Sequence, residues 1–240
     1  MASDPRLITI YDDDNPVGPD HDHARALADE LGARTIVDLG CGTGRLAVSL
    51  ARPGRTVIGV DPDVTAMQYA RRRLGGEGVI WTDGDSTVMG DLAADLIVLT
   101  GNSVQHIGEA DWPRTLRDIA RTLRRGGVLL FDTRNPADRA WARWSAVPRK
   151  TRATPIGELT EWIEFDHEDP DGTVHLAFHT VFEATGEHLT VRQPLVFRDA
   201  DRLTEELTAA GLDVRATFGD WSGATFEPSS PGIVIEAVRS

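Results

Sequence analysis

Apolar residues follow two rhythms along this chain. Short continuous runs at 36–37, 56–60, 79–81, 95–100 and 128–131 read as strands buried on both faces. Between them the period lengthens. Leu46, Ala47 and Leu50 share one helical face, and that helix runs to about Ala51 before the stop at Pro53-Gly54. Segments 63–74 and 111–124 read as helices too, the first closed by Gly75-Gly76 and the second broken by Gly126-Gly127. Strand and helix in alternation predict an α/β sheet.

The flanks differ. Residues 1–20 are polar and carry Pro5, Pro16, Gly18 and Pro19, which predicts a loop or a mobile arm, whereas 21–31 reads as a short helix. Beyond residue 136 strand patterns replace helices. Segments 158–168, 173–183 and 187–197 are separated by Pro170-Asp171-Gly172 and Thr185-Gly186-Glu187. In the second, Val174, Leu176, Phe178 and Phe182 alternate with Thr173, His175, Ala177 and His179, the pattern of a half-buried antiparallel strand. A helix at 201–210, a strand at 212–218, a turn at 219–222 and a last strand at 232–238 return to the first pattern. The expected organisation is a core of 1–136 and 201–240 with an antiparallel insert at 137–200. That insert serves as a cap or as a dimerisation sheet, so monomer and homodimer both stay open.

Composition narrows the partners. The 240 residues carry a net charge of −13 and are 40% hydrophobic, enough for one large domain. A nucleic-acid partner is not expected, because phosphate binding needs a basic face. Cys41 is the sole cysteine, so no intrachain disulfide can form, and a cytoplasmic setting fits. Asp4, Asp12, Asp13 and Asp14 interrupt the first twenty residues, so no secretory leader is expected, and no stretch is apolar enough to span a membrane.

Residues 36–47 read I-V-D-L-G-C-G-T-G-R-L-A: a strand, a tight glycine turn and a helix. Glycines let a ligand lie on the main chain, and the following helix turns its free N–H groups toward it. The dinucleotide fingerprint is G-x-G-x-x-G, yet here Gly40, Gly42 and Gly44 are followed by Arg45 where its third glycine would fall. Asp38 just before the turn would repel a pyrophosphate and suits a ligand carrying a cation. Asp61, at the tip of the second strand and followed by Pro62, can accept both hydrogens of a ribose diol, a role common to several cofactors.

The glycine stretch resembles the first motif of the class I S-adenosylmethionine (SAM)-dependent methyltransferases, and L-R-R-G-G-V-L-L-F-D at 123–132 resembles the segment entering their fifth strand. The resemblance implies a doubly wound, mostly parallel seven-stranded sheet of order 3-2-1-4-5-7-6, with SAM as cofactor and S-adenosylhomocysteine as product. It implies a cofactor site of Asp38, Gly40, Cys41, Gly42, Gly44, Asp61, Pro62, Thr100 and Gly101. Asp85 would take the adenine amino group and the Ser86 N–H a ring nitrogen, with Asp83 the alternative carrier. Tyr11 belongs to a segment that folds over the cofactor in similar enzymes, or to a disordered tail.

Ligands of open α/β sheets sit beyond the carboxyl ends of the strands. Asn102, Gln105 and His106 are therefore expected at the acceptor, with His106 the base because its ordinary pKa is nearest neutrality. Arg134 either anchors an acidic group of the substrate or pairs with Asp132 or Asp138. Trp141 and Trp144, three apart on a short helix, are further substrate contacts. No metal is expected: His21 and His23 read as solvated, and His175 and His179 as facing solvent or a substrate cavity. The expected activity is methyl transfer to an oxygen or nitrogen of a small molecule. A nicotinamide-dependent oxidoreductase and a non-catalytic SAM-binding protein are the alternatives.

Overall fold

Residues 3–240 are described by the computed structural model. The first part of the chain runs α1 (Pro5–Asp14), α2 (Pro19–Glu30), β1 (Thr35–Leu39), α3 (Arg45–Leu50), β2 (Thr56–Asp61), α4 (Val64–Arg72), β3 (Val79–Asp83), β4 (Ala94–Leu99), α5 (Trp112–Thr122) and β5 (Leu123–Arg134). It continues with α6 (Ala140–Ala146), β6 (Lys150–Thr154), β7 (Gly157–Glu168), β8 (Thr173–Phe182), β9 (Glu187–Val196), α7 (Ala200–Ala209), β10 (Leu212–Phe218) and β11 (Gly232–Arg239).

Seven strands form one sheet of order β3-β2-β1-β4-β5-β11-β10. The first five run parallel and β11 is antiparallel to both of its neighbours. Counted within this sheet alone, that is the expected 3-2-1-4-5-7-6. The continuous apolar runs are explained by burial on both faces, because successive side chains point to opposite sides. Val37, Ile58, Ile97 and Leu129 pack with Leu116 and Ile119 of α5 and Leu203 and Leu207 of α7. Their strand neighbours Ile36, Val57, Leu96 and Val128 pack with Leu27 of α2 and Leu46 and Leu50 of α3.

The insert is a second, antiparallel sheet of order β6-β7-β8-β9. The three expected strands are present. The edge strand β6, with its polar K-T-R-A-T, was not expected and pairs with β7 from Lys150↔Glu161 to Thr154↔Gly157. A small core of Trp141, Val174, Leu176, Leu195 and Phe197 holds α6 against this sheet. The return to the main sheet is pinned by Arg198, which is 1% exposed. It donates to the carbonyls of Val104 at 3.4 Å and Ile107 at 2.9 Å and lies over the Trp112 ring.

Three local expectations are corrected. Residues 5–14 are a helix, not a loop: Pro5 sits in its first turn, Asp4 caps it by accepting from the Arg6 N–H, and Ile10 is buried against Leu159 and Phe182. Residues 1–2 of that expected arm lie outside the described residues. β5 starts at Leu123 and carries Gly126-Gly127 inside it, where its pairing with β4 shifts register. His21 is buried, and His23 meets Glu236 Oε1 at 2.8 Å and packs edge-on to Trp221, so neither is solvated.

Candidate functional site

The glycine turn crosses the carboxyl ends of β1 and β2. Gly40 N–H at 2.7 Å and Cys41 N–H at 3.1 Å both donate to the Val60 carbonyl, and Gly44 N–H donates to that of Cys41. Gly42 N–H donates to Asp61 Oδ2 at 2.8 Å. The glycines take φ of +79°, +53° and +78° in order, a region other residues avoid. They differ in what surrounds them. A Cβ at Gly40 would come 2.9 Å from Ser103, and one at Gly44 would come 2.4 Å from the Trp81 ring. At Gly42 a Cβ would meet nothing within 4 Å. Gly40 and Gly44 therefore permit packing, whereas Gly42 borders open space.

What the turn offers a ligand is acceptors rather than donors. Its N–H groups named above are already paired, and α3 has only six residues to lend a dipole. Asp38 is 2% exposed, and among the described residues its Oδ2 has no hydrogen-bond partner. Burial first, and then the charge of Asp61, push its pKa up to about 7. Asp61, also raised by burial, accepts from the Gly42 and Asp63 N–H groups, one on each oxygen. A cation with hydroxyl donors fits this set, and a pyrophosphate does not. The Cys41 side chain turns away toward α4, with Sγ 3.6 Å from Met67 Sδ, and its thiol pKa is driven up by burial.

Helix α1 lies across the turn and carries Tyr11 there. Asp12 accepts from Thr43 Oγ1 at 2.7 Å and pairs with Arg45 at 3.2 Å and with Arg73. Both ends of the helix are tied to the second sheet by bidentate pairs, Asp14 with Arg152 and Arg6 with Glu187. Tyr11, next to Asp12, has its phenol pKa raised by burial first and lies within electrostatic reach of Arg45 and Asp61.

Around the third strand the placement is less direct. Asp85 is exposed and pairs with Arg114 at 3.0 Å while capping Thr87, which holds its carboxyl at about 2. Ser86 is buried, its hydroxyl donating to Asp118 at 2.8 Å. Asp83 pairs with Arg71. Pro62 is exposed beside Asp61, and Thr100 and Gly101 follow β4 with Gly101 at φ +67°.

Beyond β4 and β5 a second group converges. Asp132 is buried, its pKa pushed up by burial to about 6, and it accepts from Asn102 N–H at 2.9 Å and from Trp221 Nε1 at 3.3 Å. It thereby holds Asn102 in the left-handed region, φ +60°. Gln193 of β9 meets His106 Nδ1 at 2.8 Å. Part of the His106 ring reaches solvent, yet lost hydration and then the charge of Arg134 hold its pKa below the usual value. Arg134 donates to Gln105 Oε1 at 2.6 Å and lies 4.7 Å from the centre of the Trp144 ring.

Two expected acceptor contacts are withdrawn by burial. Gln105 has no exposed surface and accepts from Arg134. Trp141 is 4% exposed, with its ring 4.5 Å from that of Phe197, and belongs to the core under the second sheet. His175 and His179 also part company. His179 stacks on Trp162, whereas His175 stacks on His167 at 4.2 Å and meets Asp169 at 2.7 Å. The ligand atoms of His167, Asp169 and His175 lie within 4.8 Å of one another, a grouping able to hold a cation where none was expected. Asp12, Arg73 and Gln193 were not read from sequence, since nothing local marks their partners.

Known proteins resemble this chain in sequence and fold. A family model described as a methyltransferase domain matches residues 36–127. The chain is 31% identical over 212 residues to the cypemycin N-terminal methyltransferase of a Streptomyces species, covering 87% of this chain and 84% of that one. It is 32% identical over 138 residues to a probable S-adenosylmethionine-dependent methyltransferase of Mycobacterium tuberculosis, covering 57% of this chain. It spans about half of that relative's length, 49%. The fold is also that of a sugar N-methyltransferase, KedS8 from Streptoalloteichus, with a TM-score of 0.74 at 21% identity over all of this chain and 94% of the other.

Proposed function

The chain belongs to the S-adenosylmethionine-dependent methyltransferases, and from that premise we propose that it moves a methyl group to an oxygen or nitrogen of a small-molecule metabolite. The observation that carries this reading is the acceptor-rich turn, above all the buried, unpartnered oxygen of Asp38 beside the open space at Gly42. SAM supplies an electrophilic methyl on a sulfonium. Asp38 would face its cationic amino-acid end, and the free lone pairs of Asp61 its ribose hydroxyls. Asp85 would take the adenine amino group once released by Arg114, with the Ser86 N–H on a ring nitrogen.

The protein's own work is positioning. The acceptor atom must be held in line with the methyl, about 3 Å away and stripped of water. Residues 1–136 and 201–240 form the core in this reading, and 137–200 cap the acceptor side, where β9 brings Gln193 to His106. His106 takes the proton of a hydroxyl or ammonium acceptor, its lowered pKa keeping it neutral at pH 7. The acidic charge of −13 supports a small molecule over a nucleic acid as acceptor. The solitary cysteine supports the cytoplasm as the place of work.

Calorimetric titration with S-adenosylhomocysteine, and with NADH in parallel, tests the reading. Micromolar binding of the first alone is expected, weakened by about 1–3 kcal/mol in Asp61→Ala. Binding of NADH alone overturns it in favour of the oxidoreductase.

A further inference from the structure

We propose that Arg134 is the anchor for a carboxylate on the acceptor, so that the molecule methylated is an organic acid carrying its nucleophilic oxygen or nitrogen elsewhere. This rests on the methyltransferase reading and adds the acceptor's chemical class.

The first argument is what Arg134 lacks. The chain holds 38 acidic residues against 25 lysines and arginines. Arginines as exposed as Arg143 or as part-buried as Arg6 and Arg152 take carboxylates readily. Arg134 is only part-exposed, yet among the described residues no carboxylate comes within 4.0 Å of its nitrogens. The two neighbours able to neutralise it are committed elsewhere. Asp138 is held by Arg143 through both oxygens, at 2.9 and 2.5 Å. Asp132 accepts from Asn102 and Trp221 and acts on Arg134 only through its charge, from beyond ion-pair distance. A guanidinium partly stripped of water and left unpaired is costly unless a ligand pairs with it.

The second argument is that Arg134 is held in place. Its NH1 group donates to the fully buried Gln105, and the Trp144 ring supports the guanidinium 4.7 Å away. A planar fork fixed by one bond and one aromatic face keeps other N–H groups free for the two oxygens of a carboxylate. This pre-orientation spares a ligand the cost of ordering a flexible side chain.

The third is position. Arg134 ends β5 at the carboxyl edge of the sheet, where ligands of such folds collect. Arg134 donates to Gln105, the residue before His106, and its charge is felt by the imidazole, so the anchor and the base lie within electrostatic reach of each other. A carboxylate bound there removes one of the two causes that depress His106 and strengthens the base when the acceptor arrives.

The test uses protein saturated with S-adenosylhomocysteine and two matched pairs of probes, benzoate against benzamide and hexanoate against hexanamide. In each pair the acid is expected to bind at least about tenfold more tightly. Arg134→Gln should erase that preference while S-adenosylhomocysteine affinity and melting temperature report an intact fold. Should that variant fail to fold, Arg134→Lys decides, because an ammonium keeps the charge but not the fork, and the preference must fall. Equal binding of acid and amide, a preference that survives in the variant, or no binding of either acid overturns the anchor. Failure to bind S-adenosylhomocysteine at all instead overturns the reading on which it rests.

Discussion

Gln193 of β9 donates its amide to Nδ1 of His106 at 2.8 Å, so the second sheet sets the tautomer of a residue that follows β4. With Nδ1 accepting, the proton of the neutral ring lies on Nε2. A half-turn of the same amide presents its oxygen, moves the proton to Nδ1 and frees Nε2 as the base.

Gln193→Glu should therefore favour the base, because a carboxylate only accepts. It should also raise the His106 pKa and shift the acid limb of the kcat profile to higher pH than in the wild type, where the limb lies below the usual histidine value. Gln193→Leu should cost about tenfold in kcat, and His106→Ala about a hundredfold. Steady-state rates across pH 5–9 with the true acceptor check all three.

Asp38 makes the ligand-free protein sensitive to alkali. Its pKa is about 7 folded against 3.8 ordinarily, so the folded state binds this proton more tightly. The contribution to stability is whole below 3.8 and is lost as pH rises through about 7. The melting temperature should fall from pH 6 to pH 8, with a smaller fall in Asp38→Asn. A cationic ligand at the turn should restore part of it at pH 8. Thermal scans at the two pH values, with and without SAM, measure this.

Gly42→Ala and Gly44→Ala should fail in different ways. At Gly44 a Cβ would collide with Trp81 at φ +78°, so strain and overpacking together should cost about 2–4 kcal/mol of stability. At Gly42 the added methyl meets no protein atom, so only about 1–2 kcal/mol of backbone strain is expected. S-adenosylhomocysteine binding should nevertheless vanish, since the methyl enters the space left for it. Urea unfolding and calorimetry separate the two.

Asp12→Ala should loosen α1 without unfolding the chain. Partly exposed ion pairs contribute about 0–1 kcal/mol each, so global stability should barely change. Hydrogen exchange over residues 5–14 should quicken, and S-adenosylhomocysteine should dissociate several-fold faster. Raising the salt concentration should move the wild type in the same direction.

The readability of these features in sequence follows how locally each is determined. The turn at 38–44 is legible because strand and glycines act on one another within a few positions, and Asp61 because it ends the next apolar run. The parallel sheet is legible because burial on both faces leaves unbroken apolar runs. Helix α1 was not, for what holds it is remote: Ile10 rests on Leu159 and Phe182, and Asp12 on Arg73. β6 is a polar edge strand, ordered by its pairing to β7 rather than by any alternation of its own. Trp141 and Trp144 look equivalent on a helix, and only the position of Phe197 decides which is buried. Gln193 is one polar residue in a polar strand until the fold sets it beside His106.

The orientation of Cys41 has a practical corollary. The chain's one thiol sits in the turn itself, its sulfur lodged against Met67 and kept protonated at neutral pH. Electrophilic reagents attack the thiolate, so the raised thiol pKa makes the closed turn slow to react, and its transient opening speeds modification. The rate of alkylation is then a clock for that opening, read without any added label, and the slowing of the clock by a ligand gives the ligand's occupancy directly.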